Sequence, residues 1–169
     1  GFLTINASPS QLRVPDFANS ILAQLAMSGT SPTRLIVEIT EHSLLGNEMV
    51  IIENLVEFHR NRIRLYIDDF GTGYSSISTL RDYPISGMKL DKSFSRLLMS
   101  NPSGSIVHLV SGLSELAHHL HLDRIAEGVE SRECAQRLLE LGWTRGQGYH
   151  FGHAEAMGPD HPTLSDGRH

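Results

Sequence analysis

Arg64-Leu-Tyr-Ile-Asp-Asp-Phe-Gly-Thr-Gly-Tyr-Ser-Ser76 is a short apolar run that ends in two adjacent carboxylates and a glycine-rich turn. Neighbouring carboxylates repel, and burying them without a partner is costly, so a cation belongs between or beside Asp68 and Asp69. Oxygen ligands at a strand end, on a loop freed by Gly71 and Gly73, suit Mg²⁺ or Mn²⁺ better than Zn²⁺. Standing alone, Asp-Asp-x-Gly reads more simply as a solvated turn. The rest of the chain changes that reading.

Polar residues recur at the ends of other strand-like runs. Leu3-Thr-Ile-Asn6 ends in Asn6, and Leu35-Ile-Val-Glu-Ile-Thr-Glu41 carries Glu38 and Glu41. Gly87-Met-Lys-Leu-Asp91 carries Lys89 and Asp91, Arg124-Ile-Ala-Glu-Gly-Val-Glu130 carries Glu127 and Glu130, and Arg145-Gly-Gln-Gly-Tyr149 carries Gln147. They recur at steps of roughly 20 to 40 residues, the size of one strand-helix unit. A strand buried on both faces should be almost wholly apolar, so each interruption needs a reason. An α/β barrel supplies one reason for all, because its strand C-termini converge on a single mouth where catalytic groups collect.

Asp68-Asp-Phe-Gly-Thr-Gly-Tyr-Ser-Ser76, Glu38-Ile-Thr-Glu41, Lys89-Leu-Asp91, Ala126-Glu-Gly-Val-Glu130 and Gln147-Gly-Tyr149 together resemble the EAL-domain phosphodiesterases of bacteria. Those enzymes hydrolyse the second messenger cyclic di-GMP. The motifs stand in the family's order over residues 1–152. The resemblance implies a (β/α)8-type, TIM-like barrel and a two-metal site for Mg²⁺ or Mn²⁺. It implies Asn6, Glu38, Asp68, Asp69 and Glu127 as metal ligands, with Asp68 bridging. Lys89, oriented by Asp91, would hold or activate the attacking water, and Glu127 is both ligand and catalytic residue. Glu41 would pin the loop after the aspartate pair, Gln147 would contact substrate, and the product would be linear pGpG. A homodimer is expected of the parent protein, in the cytoplasm, with any membrane tether supplied by other segments.

One departure matters. The family is named for a Glu-Ala-Leu motif on its first strand, whose glutamate is a metal ligand, and no Glu-Ala-Leu occurs in this sequence. The chain opens at Gly1-Phe-Leu-Thr-Ile-Asn6, which looks like the family's second strand. The expected fold is therefore an incomplete barrel lacking the first strand and helix, with weak or no activity in this chain by itself. The alternative function is a catalytically degenerate cyclic di-GMP receptor or a protein-interaction module. An unrelated metal-dependent barrel hydrolase would need all the motifs to be accidental.

Composition agrees with one globular domain: 40% of the 169 residues are hydrophobic and 20% are charged. A net charge of -5 with no basic block excludes a nucleic-acid polymer as partner. The same acidity accommodates a dianionic nucleotide once divalent cations fill the carboxylate cluster and invert the local charge. No apolar run is long enough to span a bilayer, so no membrane contact is expected from this segment. Cys134, the single cysteine, excludes an internal disulfide and reads as a small buried residue.

Helices alternate with the strands. Ile106, Leu109, Val110, Leu113, Leu116, Ala117 and Leu120 fall on one helical face. Asn47 is a candidate N-cap for a helix running to about Arg62 that buries Ile51, Ile52, Leu55, Val56 and His59. Ser131 can cap a helix that ends near Gly142, with Leu138, Leu139 and Leu141 inward or partly so, and Phe17, Ile21, Leu22 and Leu25 mark another that stops at Gly29. His118, His119 and His121 cluster at a helix end and read as partners of its dipole rather than metal ligands. Residues 153–169, rich in Gly, Pro, Asp and His, are expected to form a poorly ordered tail. Phe151-Gly-His-Ala154 lacks the proline that the family carries before its last helix, which puts that closing element in doubt.

Overall fold

A computed structural model of the chain describes residues 1–44, 48–71 and 77–152, with only the backbone at 77–79. Six strands are present among them: β1 (Leu3–Ala7), β2 (Leu35–Thr40), β3 (Arg64–Phe70), β4 (Gly87–Leu90), β5 (Asp123–Ala126) and β6 (Arg145–Gly146). They form one sheet in sequence order, every pair parallel. Strand-to-neighbour connections through helices produce this order, since parallel neighbours need a crossover and the crossover is right-handed. The helices are α1 (Pro9–Leu12), α2 (Phe17–Met27), α3 (Met49–Arg60), α4 (Ile77–Asp82), α5 (Lys92–Ser100), α6 (Ser105–His119) and α7 (Arg132–Glu140). Among the described residues β1 and β6 are the sheet's two edges.

The core lies between sheet and helices. Val37, Ile39, Leu65 and Ile67 meet Leu55 and Phe58 of α3, Leu98 of α5, Val110 and Ala117 of α6 and Leu138 of α7 in one buried cluster. Phe17 of α2 packs edge-on against Phe58, with ring centroids 6.0 Å apart. Trp143 is buried and donates its indole N–H to the Val110 carbonyl at 3.0 Å, which ties the β6 approach to α6.

The helix expectations hold with three shifts of phase. α3 begins after Glu48, and the proposed Asn47 cap lies outside the described residues. Its buried face is Ile51, Asn54, Leu55 and Phe58, so His59, expected inside, is exposed. The residues at i, i+4 and i+7 face the sheet, and His59 lies one helical step beyond them. Leu109 and Leu139 are likewise exposed, because each sits at the margin of an apolar stripe whose centre is Val110 or Leu138. Ser131 caps α7 as expected, accepting from the Cys134 N–H at 3.1 Å, and Cys134 is buried. The tail at 153–169 lies outside the described residues.

Asn54 is a polar residue in the middle of an apolar face. Its amide oxygen accepts from the Ala18 N–H at 2.9 Å, and its amide nitrogen donates to the carbonyls of Leu12 at 2.9 Å and Val14 at 3.0 Å. One side chain thereby satisfies three backbone groups of the irregular segment joining α1 to α2. Asn54→Ala is expected to lower stability by about 2–3 kcal/mol in urea unfolding, because those groups stay buried without partners. A loss below about 0.5 kcal/mol, the scale of a surface substitution, would show that water replaces the amide.

Candidate metal centre

Parallel register sets the site. Paired residues in adjacent strands share a face, and the ladder pairs Asn6 with Glu38 and Glu38 with Tyr66. Asp68 lies two residues beyond Tyr66, so Asn6, Glu38 and Asp68 point the same way near the C-terminal ends of β1, β2 and β3. Lys89 arrives from β4 and is only 3% exposed. Its ammonium lies 2.9 Å from Glu38 Oε2, 3.2 Å from Asp68 Oδ1 and 2.5 Å from Glu127 Oε1. One cation thus joins carboxylates from three different connections. Burial alone would lower the Lys89 pKa, but hydrogen bonds to Glu127 and Glu38 and the Asp68 charge outweigh it and hold the ammonium protonated.

A regular strand sends adjacent side chains to opposite faces, which would part Asp68 from Asp69. The chain avoids this by a bulge. The β3–β4 ladder runs Tyr66–Gly87 and Ile67–Met88, then resumes at Phe70–Leu90, so β3 spends one more residue than β4 over the same span. Asp69 absorbs the extra residue in the left-handed region, φ 54°. Aspartate tolerates that conformation better than most residues with a Cβ. Ligand oxygens of Asp68, Asp69 and Glu127 consequently lie within 4.8 Å of one another.

These carboxylates are under strain from their own charge. Burial, then Asp68 and Asp91, push the Asp69 carboxyl above the usual range. Burial also raises Glu127, and Asp68 and Asp69 add to it against the opposing pull of Lys89. Glu38, Asp68, Asp69 and Glu127 supply more negative charge than one ammonium can neutralise. An all-oxygen set of this kind fits a hard divalent cation.

The other expected residues surround this cluster. Asn6 is exposed on β1 beside Glu38. Glu41 opens a 3-10 turn after β2, is 8% exposed, and has neither carboxylate oxygen hydrogen-bonded among the described residues. The loop it was expected to pin, 72–76, lies outside the described residues. The expected partnership of Asp91 with Lys89 has no ion pair behind it among the described residues, where Lys89 pairs with Glu38, Asp68 and Glu127. Asp91 caps α5, accepting from the Ser93 N–H at 2.9 Å, and its charge helps push up the Asp69 carboxyl. That cap helps draw the Asp91 pKa below the ordinary value although burial opposes it. Gln147 is exposed just after β6, and its backbone is stitched to Ala126 at 2.8 Å and Val129 at 3.1 Å. With Glu127, Tyr149, Lys92 and Arg96 it lines a cavity of about 250 Å³ that opens beside the cluster. Lys92 and Arg96 were missed in the sequence; their i, i+4 spacing on α5 was the available signal.

Residues 2–154 match the EAL domain family, and the chain belongs to it. The cyclic di-GMP phosphodiesterase RocR of Pseudomonas aeruginosa is 38% identical over 149 residues, which are 88% of this chain and 38% of RocR. The crystal structure of the EAL domain of Mycobacterium smegmatis DcpA superposes with a TM-score of 0.82 at 34% identity, covering 90% of this chain and 67% of that one. A manganese and cyclic di-GMP complex of Klebsiella pneumoniae BlrP1 superposes with a TM-score of 0.79 at 28% identity, covering 88% of this chain and 38% of that one. The chain spans less than half the length of the curated relatives it matches. Against these domains the open parallel sheet is an incomplete TIM-like barrel.

Mn²⁺ is expected to raise the melting temperature of the chain, since a ligand that binds only the folded state stabilises it. Asp68→Asn should remove most of that increase. Asp69 and Glu127 have raised pKa values, so both take up protons above the ordinary carboxylate range and compete with metal in mild acid. The Mn²⁺-induced shift should therefore shrink as pH falls from about 7.5 towards about 5, the range just above ordinary carboxylate values. A shift that is constant with pH, or unchanged in Asp68→Asn, would place the metal elsewhere.

Proposed function

We propose that the protein carrying this chain hydrolyses cyclic di-GMP to linear pGpG with two divalent ions, Mg²⁺ or Mn²⁺. The carrying observation is the convergence of Asp68, Asp69 and Glu127 within 4.8 Å around a buried lysine. The activity named for RocR and the ligands named for BlrP1 support the same reading. Asp68 stands between the two groups of donors: Asn6 and Glu38 on one side, Asp69 and Glu127 on the other. When bound, such ions neutralise the diester and lower the pKa of a water they share.

The chain's own residues do the rest. Lys89 is held by carboxylates from β2, β3 and the end of β5, so its ammonium has a fixed position from which to orient the attacking water. A compact ammonium serves this better than a guanidinium, whose planar fork would bridge the carboxylates instead. Asp91, which caps α5 beside the pair, acts on Asp69 through its charge. Gln147 and the cavity it lines receive the nucleotide away from the scissile phosphate. Glu41, buried at the neighbouring strand end with both carboxylate oxygens unpaired among the described residues, would pin the loop after the aspartate pair. That loop is also where a homodimer of the parent protein would couple self-association to the site.

Chromatography of the products is the direct test. The protein carrying this chain, supplied with Mg²⁺ or Mn²⁺, should release pGpG from cyclic di-GMP, and Lys89→Met should slow release by at least about a hundredfold. Lys89→Arg should not restore the rate. Tight nucleotide binding without pGpG would overturn the hydrolase reading in favour of a receptor.

A further inference from the structure

We propose that Ser95 is a positioning residue for Glu127. Ser95 lies on α5, is 1% exposed, and donates its hydroxyl to the Glu127 carbonyl at 2.5 Å. No motif marks it, and it sits outside the cluster of carboxylates. Its effect reaches the site through the Glu127 backbone.

Glu127 belongs to no regular element; β5 ends at Ala126. Its side chain is held at one point by Lys89 Nζ, 2.5 Å away. Its backbone N–H donates to the Leu90 carbonyl at 3.0 Å, and its own carbonyl accepts from Ser95. Both backbone holds therefore come from the β4–α5 unit, which also carries Lys89 and Asp91. The next residue is pressed against the same helix. Gly128 has φ 65°, and a Cβ there would lie 2.6 Å from Lys92 Cβ. Beyond it, Val129 donates its N–H to the Gln147 carbonyl at 3.1 Å and accepts from the His150 N–H at 3.0 Å.

Of these holds, the Ser95 hydroxyl is the only side-chain hydrogen bond to the Glu127 backbone among the described residues. Without it the peptide keeps its N–H bond to Leu90 and can turn about it, moving the carboxylate relative to Lys89 and Asp68. A displacement of about 1 Å in a catalytic group costs roughly a hundredfold in rate. The hydroxyl thus sets where one carboxylate stands, in addition to satisfying a carbonyl.

The inference rests on Glu127 serving the hydrolysis proposed above, and the experiment separates the two. In the protein carrying this chain, Ser95→Thr keeps the hydroxyl and adds a methyl, and Ser95→Val has the shape of that threonine without the hydroxyl. Ser95→Val should lose at least about tenfold in kcat with KM within about twofold, the pattern of a misplaced catalytic group. Its Mn²⁺-induced rise in melting temperature should also shrink, a readout independent of turnover. Ser95→Thr should retain most of both. If Ser95→Val does not fold, Ser95→Ala carries the same expectations. Equal losses in the Thr and Val variants would assign the position to packing, and kcat and metal response like wild type in Ser95→Val would leave it no role; either overturns the proposal. A rise in KM alone would do so as well. A wild-type protein that releases no pGpG at all defeats the hydrolase reading instead, and the metal response alone then decides on Ser95.

Discussion

Four strands of this sheet can end in charge only because Lys89 stands among them. Glu38, Asp68 and Glu127 come from separate units of the chain, and their mutual repulsion opposes bringing the β2, β3 and β5 ends together. A buried ammonium reverses the sign of that interaction. Such an arrangement is poor evidence for net stability, because four groups lose water to form it. Its value is specificity: any other register of β4 would leave the carboxylates uncompensated and the lysine buried alone. Removing one partner of such a group typically costs about 3–5 kcal/mol. The same geometry explains why a divalent ion has somewhere to go, since one positive charge leaves the four carboxylates undercompensated.

The opposite end of the sheet solves the reverse problem. There a single carboxylate, Asp123, is shared by cations: Arg145 at 3.1 Å and Arg64 at 3.8 Å. The buried Tyr66 hydroxyl donates to the same carboxylate, and burial followed by Asp123 pushes its pKa up to about 12. Arg64 also lies over the Phe2 ring, 4.0 Å from its centroid, so the beginning of β1 joins this knot. One end is acidic around a lysine and the other basic around an aspartate. An approaching charged ligand therefore meets a field that distinguishes the two ends before any contact is made.

Much of this was legible because apolar strands advertise their exceptions. Asn6, Glu38, Asp68, Lys89, Glu127 and Gln147 each interrupt or terminate a run that should be uniformly apolar, and the structure sets them near the C-terminal ends of successive strands. What stayed hidden depends on distances between units. Nothing local tells that Asp91 caps the α5 backbone instead of pairing with Lys89, since both lie within reach of a residue at that junction. Phe58 and His59 differ by one step in phase, which a stretch with apolar residues on several sides cannot resolve. Asn54 and Ser95 look like ordinary polar residues on helices, and only the backbone groups of distant segments reveal what each one serves.

The extra residue in β3 also bears on how relatives of this chain should be compared. A one-residue gap between Ile67 and Phe70 is a small difference in length when two sequences are set side by side. In the folded chain that gap would make β3 and β4 equal in length between Ile67 and Phe70, and the ladder would become regular. Phe70 would still stand opposite Leu90, but one of the two aspartates would be gone, because nothing else lies between Ile67 and Phe70. A one-residue gap at this point therefore costs the mouth a carboxylate, and a ladder that looks more regular marks a cluster that has lost a ligand.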